Sequence, residues 1–221
     1  VVENFGRQIR LFEPLAKKHK IDFFCPDYKK RESRVISRKG IRYIVSPISL
    51  ISPLTLGKSL GKLVKKEKYD VIIATTDPLI GILGHRLSKK FKIPLVYELQ
   101  DNFESYGSYK LPFVKRLDRK ALVEADIVIA VSNSLKKHIS EFRKKPIYAI
   151  NNGIDAGLFK RISKSIARKR LKLPLKSKII AYIGNIDKLR GGKILINAFN
   201  KVREKYPDAC LLLSGKIDKS V

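Results

Sequence analysis

Methionine and tryptophan are absent from the 221 residues, and only two cysteines occur. With no Met even at position 1, we expect the stretch to be a piece of a longer reading frame. Cys25 and Cys210 lie far apart, in the apolar runs Ile21-Asp22-Phe23-Phe24-Cys25 and Cys210-Leu211-Leu212-Leu213. That spacing argues against a disulfide framework, so both are expected as buried, reduced thiols in a reducing compartment. The three histidines, His19, His85 and His138, lack the spacing with Cys or carboxylates that zinc requires, and no metal is expected. No secretory signal stands at the start. Long apolar runs are missing as well. The longest uncharged stretch, Tyr43 to Gly57, is interrupted by Pro47 and Pro53 and falls short of the ~18 apolar residues of a membrane span.

Acidic residues are scarce. The chain carries 20 Asp+Glu against 48 Lys+Arg, a net charge of +28. Such a charge attracts nucleic acid, an anionic membrane face or a phosphorylated small molecule alike, over a range of ~8–10 Å at physiological salt. Lysine pairs recur at Lys17-Lys18, Lys29-Lys30, Lys65-Lys66, Lys89-Lys90, Lys136-Lys137 and Lys144-Lys145, near helix ends or in loops. A solvated, Lys-rich surface accounts for them, since cations complement helix carboxyl ends. Nucleic-acid binding adds aromatics interleaved with basic residues, or a recognition helix. Here most Tyr and Phe sit inside apolar runs, so nucleic acid is not the expected partner. Apolar types make up 44%, near the ~45–50% of globular chains, which excludes global disorder.

Short Val/Ile-rich runs alternate with longer amphipathic stretches. The runs Val1-Val2, 21–25, 41–45, 70–74, 94–98, 127–131 and 147–150 read as strands, followed by 178–183 and 209–214. Their lack of polar alternation fits parallel strands covered on both faces. Helices are expected at 7–18, 55–68, 78–91, 113–124, 134–142 and 193–206. Asp77-Pro78 reads as an N-cap with Pro in the first turn, and Leu79, Ile82, Leu83, Leu87 and Phe91 follow at helical spacing. The repeat predicts an α/β fold with an open parallel sheet and right-handed crossovers. Between Phe159 and Lys178 the pattern breaks into a basic stretch with seven cations before Pro174. Residues 1–160 therefore read as one domain, and 161–221 as a linker plus the first strand, helix and strand of another.

Ligands of such sheets bind at the carboxyl ends of strands. Four loops leave those ends. In Glu3-Asn4-Phe5-Gly6-Arg7, Gly6 permits close approach of an anion, or simply a turn. Tyr97-Glu98-Leu99-Gln100-Asp101-Asn102 ends a strand with two carboxylates, and Asp101 fits either a base or hydroxyl-orienting group or a turn cap. Asn151-Asn152-Gly153-Ile154-Asp155 marks a sharp turn. Gly184-Asn185-Ile186-Asp187-Lys188-Leu189-Arg190-Gly191-Gly192 joins a strand to a helix. Its glycines at both ends and a cation near the helix start suit a phosphate or diphosphate, although it matches neither GxxxxGK[ST] nor GxGxxG.

Taken in order, these segments resemble the family-4 type of glycosyltransferase, whose GT-B fold has two Rossmann-like domains. Arg7-Gln8-Ile9-Arg10 through Lys20-Ile21 is similar to the family's first helix and second strand. Pro94 through Asp101 is similar to the segment with an Asp on the acceptor side, and Ala125 through Ser132 to a strand and Ser before a family helix. Asn152-Gly153-Ile154-Asp155 with Phe159 resembles the NG[IV]D…F stretch near the interdomain hinge. Tyr182-Ile183-Gly184 to Gly191, with Leu195-Ile196-Asn197-Ala198-Phe199, is similar to the donor-phosphate loop G-R-L-x-x-x-K-G and its helix. There the chain departs from the pattern: Asn185 takes the usual Arg position and Arg190 the usual Lys position. The family's later pair of Glu residues, which holds the donor sugar, would lie beyond Val221, so the fragment alone is expected to be inactive.

The resemblance implies a GT-B chain, incomplete after its first Rossmann-like domain, and a retaining hexosyltransferase with a nucleotide-diphosphate sugar as donor and no resident cofactor. The acceptor is then a glycan or lipid-linked molecule, such as one of cell-envelope biogenesis. Asp101 becomes the catalytic candidate, Gly6, Gly184, Asn185, Arg190 and Gly191 the donor-binding set, and Asn152 and Gly153 the hinge. Leu56, Leu60, Leu63 and Val64 interleaved with Lys58, Lys62, Lys65 and Lys66 form a basic amphipathic stretch, compatible with a cytoplasmic protein peripheral to the inner membrane face or with a helix packed on its sheet. The alternative reading is a non-catalytic, basic binding protein.

Overall fold

The computed structural model describes residues 6–27, 32–47, 53–188 and 190–218. The expected strand Val1-Val2 lies outside them, as do Glu3-Asn4-Phe5 and Leu189. Two compact units emerge, Val1–Gly153 and Ile154–Val221, a division that falls a few residues before position 160.

In the first unit the elements run α1 (Arg7–Phe12), β1 (Ile21–Asp27), β2 (Arg34–Arg38), β3 (Ile41–Pro47), α2 (Pro53–Glu67), β4 (Ile72–Thr75), α3 (Pro78–Phe91), β5 (Leu95–Leu99), α4 (Val114–Glu124), β6 (Ile127–Ala130), α5 (Asn133–Ser140) and β7 (Ile147–Ala149). The strands β4-β5-β6-β7 form an all-parallel sheet in that order. A second sheet has the order β1-β3-β2, with β1 parallel to β3. Strand β2 is antiparallel to β3, which corrects the expectation of parallel strands alone. Its cause is local: Arg38 pairs with Ile41, and the two turn residues Lys39 and Gly40 take φ of 50° and 79°. Positive φ at both central positions is the turn whose twist matches a tight hairpin.

Helix α3 starts as its cap residues dictate. The Asp77 carboxylate accepts from the Leu79 N–H at 2.8 Å, Pro78 occupies the first turn, and Lys92 closes the far end in the left-handed region. Glycines let this helix lie close to the sheet. A Cβ at Gly81 would stand 2.0 Å from Tyr97 Cζ, and one at Gly84 2.7 Å from Ala74 Cβ. Tyr97 therefore passes α3 and donates its hydroxyl to Asp118 on α4 at 2.5 Å, and Tyr109 donates to the other Asp118 oxygen. Burial pushes the Asp118 carboxyl up, partly offset by the two phenols. Around them Leu95, Leu99, Phe103, Ala121 and Val128 close the core. Buried Arg143 ties the end of α4 to the start of β7 through the carbonyls of Val123 (3.2 Å), Asp126 (3.2 Å) and Pro146 (3.1 Å).

The second unit comprises α6 (Lys164–Arg170), β8 (Ile179–Ile183), α7 (Gly192–Lys205) and β9 (Cys210–Ser214), with β8 and β9 parallel. Helix α6 lies inside the stretch read as a linker. It is capped by Ser163, whose hydroxyl accepts from the Ile166 N–H, and its all-round cations hid it from a search for an apolar stripe. Both cysteines are free and half-buried rather than enclosed, and burial raises the Cys25 thiol. No helix among the described residues is long and apolar enough to cross a membrane.

Candidate functional site

In the first unit, the carboxyl ends of β4 and β5 carry a polar network built on Glu98. A carboxylate in the middle of Val-Tyr-Glu-Leu is costly unless paired. Glu98, with 1% of its side chain exposed, accepts from Arg7 Nε at 2.8 Å. Its second oxygen accepts from Thr75 Oγ1 at 2.7 Å, and Gln100 Nε2 donates to the same threonine oxygen at 3.2 Å. Arg7 directs two further donors to the chain after β7: Nη1 reaches Asn152 Oδ1 at 3.0 Å and Nη2 the Ile150 carbonyl at 2.5 Å. One guanidinium thus joins the start of α1, the end of β5 and the exit of β7.

The expected site residues of this unit divide around that network. Gly6 is the N-cap of α1 at φ 150°, a conformation that favours glycine, and it places Arg7. Asn152 is brought in through Arg7, whereas neighbouring Gly153 has open space around its Cα. Asp101 stays outside the network. It is exposed two residues past β5, with Oδ1 accepting from the Asn102 N–H at 2.8 Å. A cavity beside this loop, lined by Asn102, Glu104 and His138 among others, measures about 30 Å³, the share of one water in the liquid. Arg7, Thr75 and Gln100 were missed as site residues. The one available signal was a charged residue inside an apolar strand, which demands a partner without saying where it lies.

In the second unit, Gly184, Asn185, Arg190 and Gly191 come together in the loop between β8 and α7. Gly184 and Gly215 take φ of 146° and 145°, and a Cβ at Gly215 would stand 2.0 Å from the Gly184 carbonyl oxygen. Only glycine admits that approach. The ladder resumes beyond it with the Ile186–Ile217 bridge, and buried Ile186 anchors the loop. Asn185 is exposed, and its carbonyl accepts from the Tyr182 hydroxyl at 3.1 Å. Gly191 caps α7 at φ 75°. Asp187, not singled out from the sequence, pairs with the Arg190 guanidinium and accepts the Arg190 backbone N–H at 2.8 Å. That N–H and then the guanidinium hold the Asp187 carboxyl below its ordinary range. The loop therefore offers Arg190 at a helix amino end, already engaged by its own carboxylate, with exposed Lys188 and Lys193 on either side of it in sequence.

Two parallel-sheet units with their polar loops at strand carboxyl ends define a GT-B-type chain. The sucrose-phosphate synthase of Thermosynechococcus elongatus superposes with a TM-score of 0.72 over 98% of this chain and 58% of its own, at 22% identity. The Glycosyltransferase Family 4 model matches residues 9–158, and the chain belongs to that family. It is 27% identical over 118 residues to a D-inositol 3-phosphate glycosyltransferase of Corynebacterium urealyticum, covering 50% of this chain and 28% of that protein. It is 28% identical over 167 residues to the alpha-monoglucosyldiacylglycerol synthase of Streptococcus pneumoniae, covering 70% of this chain and 38% of the relative. The matched stretches thus span well under half of these two relatives.

Proposed function

We propose that the chain is part of a retaining glycosyltransferase that moves a sugar from a nucleotide-diphosphate sugar to an acceptor, with the nucleotide sugar as its only cosubstrate. The observation that carries this reading is the Gly184–Gly192 loop in a family-4 chain, where glycine turns present Arg190 and the amino end of α7. In the transfer an acceptor hydroxyl oxygen bonds to the anomeric carbon, on the face from which the diphosphate departs, as that carbon's bond to the diphosphate breaks and the hydroxyl proton passes to a diphosphate oxygen. The departing diphosphate gains negative charge, which Arg190 and the start of α7 stabilise. Asp101, with one oxygen on the Asn102 N–H, keeps the other for the acceptor hydroxyl, and Asn152-Gly153 serves as the hinge. With Asn185 in place of a cation and Asp187 on Arg190, the charge at the usual Lys position is contested, and Lys188 and Lys193 are the other cations beside it. The same two features favour the second reading, a non-catalytic binding protein.

Titration of the intact gene product with nucleotide-diphosphate sugars separates the two. Binding and turnover are expected, with Arg190→Ala weakening the donor by about tenfold or more, the worth of one charge-assisted contact. No binding or turnover with any such donor overturns the reading. The acceptor we take to be a lipid-linked or cell-envelope glycan, approached by a cytoplasmic protein peripheral to the membrane. The lysines of α2 support this, since Lys58, Lys62, Lys65 and Lys66 have no carboxylate partner among the described residues. Sedimentation with anionic but not neutral liposomes is the expected result.

A further inference from the structure

The first unit holds a larger opening away from both loops. It is a cleft of about 420 Å³ between α2 and the β1-β3-β2 sheet, within the ~300–1,000 Å³ typical of small-molecule sites. Its floor is one rung of that sheet, because Phe24 pairs with Ile44 and Ile44 with Val35, so the three share a face. Leu60 and Leu63 of α2 form the wall. Helix α2 packs elsewhere through Gly57 and Gly61, which lie against Leu83 and Phe91 of α3, and through buried Val64. This leaves Leu60 and Leu63 half-buried on the cleft side and Val35 62% exposed. Lys62 and Lys66 stand one turn from Ser59 and Leu63 at the rim, exposed and without a carboxylate partner among the described residues. Ser33, Arg34, Ser46 and Ser59 also line the cleft, and the Arg34 Nε is buried without a hydrogen-bond partner among the described residues. An apolar floor and wall bordered by these polar groups, with exposed cations at the edge, match a long acyl chain ending in an anionic head.

We propose that this cleft takes up the acyl chain of a single anionic lipid, with Lys62 and Lys66 at its headgroup. The inference extends the acceptor side of the proposed function, but its test needs neither donor nor turnover. Calorimetric titration of the chain with lysophosphatidylglycerol below its critical micelle concentration should show saturable binding at one site, and glycerol 3-phosphate alone should not bind. Val35→Glu keeps an edge position already open to solvent, so its melting temperature stays near that of the parent. It should weaken the lipid by about tenfold or more, since a carboxylate is desolvated against the chain. Leu63→Gln provides a second wall variant. Lys62→Ala with Lys66→Ala should weaken lysophosphatidylglycerol by about fivefold and leave zwitterionic lysophosphatidylcholine unchanged. Uptake of phosphatidylglycerol vesicles without any binding of the monomer overturns the cleft while leaving peripheral membrane contact in place. Parent-like binding by Val35→Glu and Leu63→Gln also overturns it. Equal loss of both lipids in the lysine variant overturns the headgroup assignment.

Discussion

Removing the Glu98 carboxylate tests whether the Arg7 network supports the first unit. The pair is nearly dry, with 9% of the Arg7 and 1% of the Glu98 side chain exposed. Deleting one partner of a buried pair costs ~3–5 kcal/mol, because the other charge is left uncompensated. In Glu98→Ala, Arg7 keeps the Ile150 carbonyl and Asn152, but its Nε loses the 2.8 Å contact and Thr75 loses its acceptor. The retained acceptors place the expected cost at the low end, about 3 kcal/mol. Glu98→Gln preserves an acceptor for Nε and gives up only the charge, about 1.5 kcal/mol. Seven of the nine tyrosines lie in residues 1–153, and tryptophan is absent, so urea unfolding followed by tyrosine fluorescence reports mainly on this unit. With a slope of about 2 kcal/mol per molar urea, Glu98→Ala should lower the midpoint by about 1.5 M. A loss under about 0.5 kcal/mol, the range of ordinary surface changes, refutes the view that this pair is shielded from water.

Two further perturbations follow from the same unit. Gly81→Ala places a methyl 2.0 Å from the Tyr97 ring, and that ring is held by Asp118, so overpacking of about 3 kcal/mol and a melting temperature lower by about 10 °C are expected; adding Tyr97→Leu should recover part of the loss, and no recovery contradicts the assigned clash. Glu124 is held down to about 2 by hydrogen bonds from Lys89 and then His85. A carboxyl lowered in the folded state contributes stability above its unfolded value near ~4.3 and loses it as pH falls towards about 2. Melting scans of Glu124→Gln between pH 5 and pH 2 should therefore be flatter than those of the parent, and identical slopes would remove Glu124 from the acid response.

Sequence periodicity carries short-range information, and the elements it missed lack that information. Helix α3 was legible because Asp77, Pro78 and the apolar spacing all act within one segment, and its bounds 78–91 match the structure. Strand β2 has five residues, and its sign is the Lys39-Gly40 turn, which the Val/Ile pattern does not register. Helix α6 is set by Ser163 and surrounded by cations, so nothing in it alternates with the turn of the helix. The glycine loop before α7 was legible for the same local reason, since its chemistry lies within nine consecutive residues. Even there the sequence reading counted cations and overlooked that Asp187, three positions before Arg190, claims that arginine.

The Glu98 network is the opposite case. Its partners lie 91 positions upstream at Arg7 and 23 at Thr75, and Arg7 in turn reaches Asn152 145 positions further on. No local pattern encodes a contact that only the folding of α1 against the ends of β5 and β7 creates. What the sequence does hold is the demand: a carboxylate between Tyr97 and Leu99 in an otherwise apolar strand has to find a cation, or the strand does not stay buried. An arginine 91 positions away in sequence meets that demand, and in doing so it holds the residues that lead out of β7. Buried charge inside a strand is therefore a pointer to long-range organisation, which the hydrophobic pattern used to find the strand does not supply.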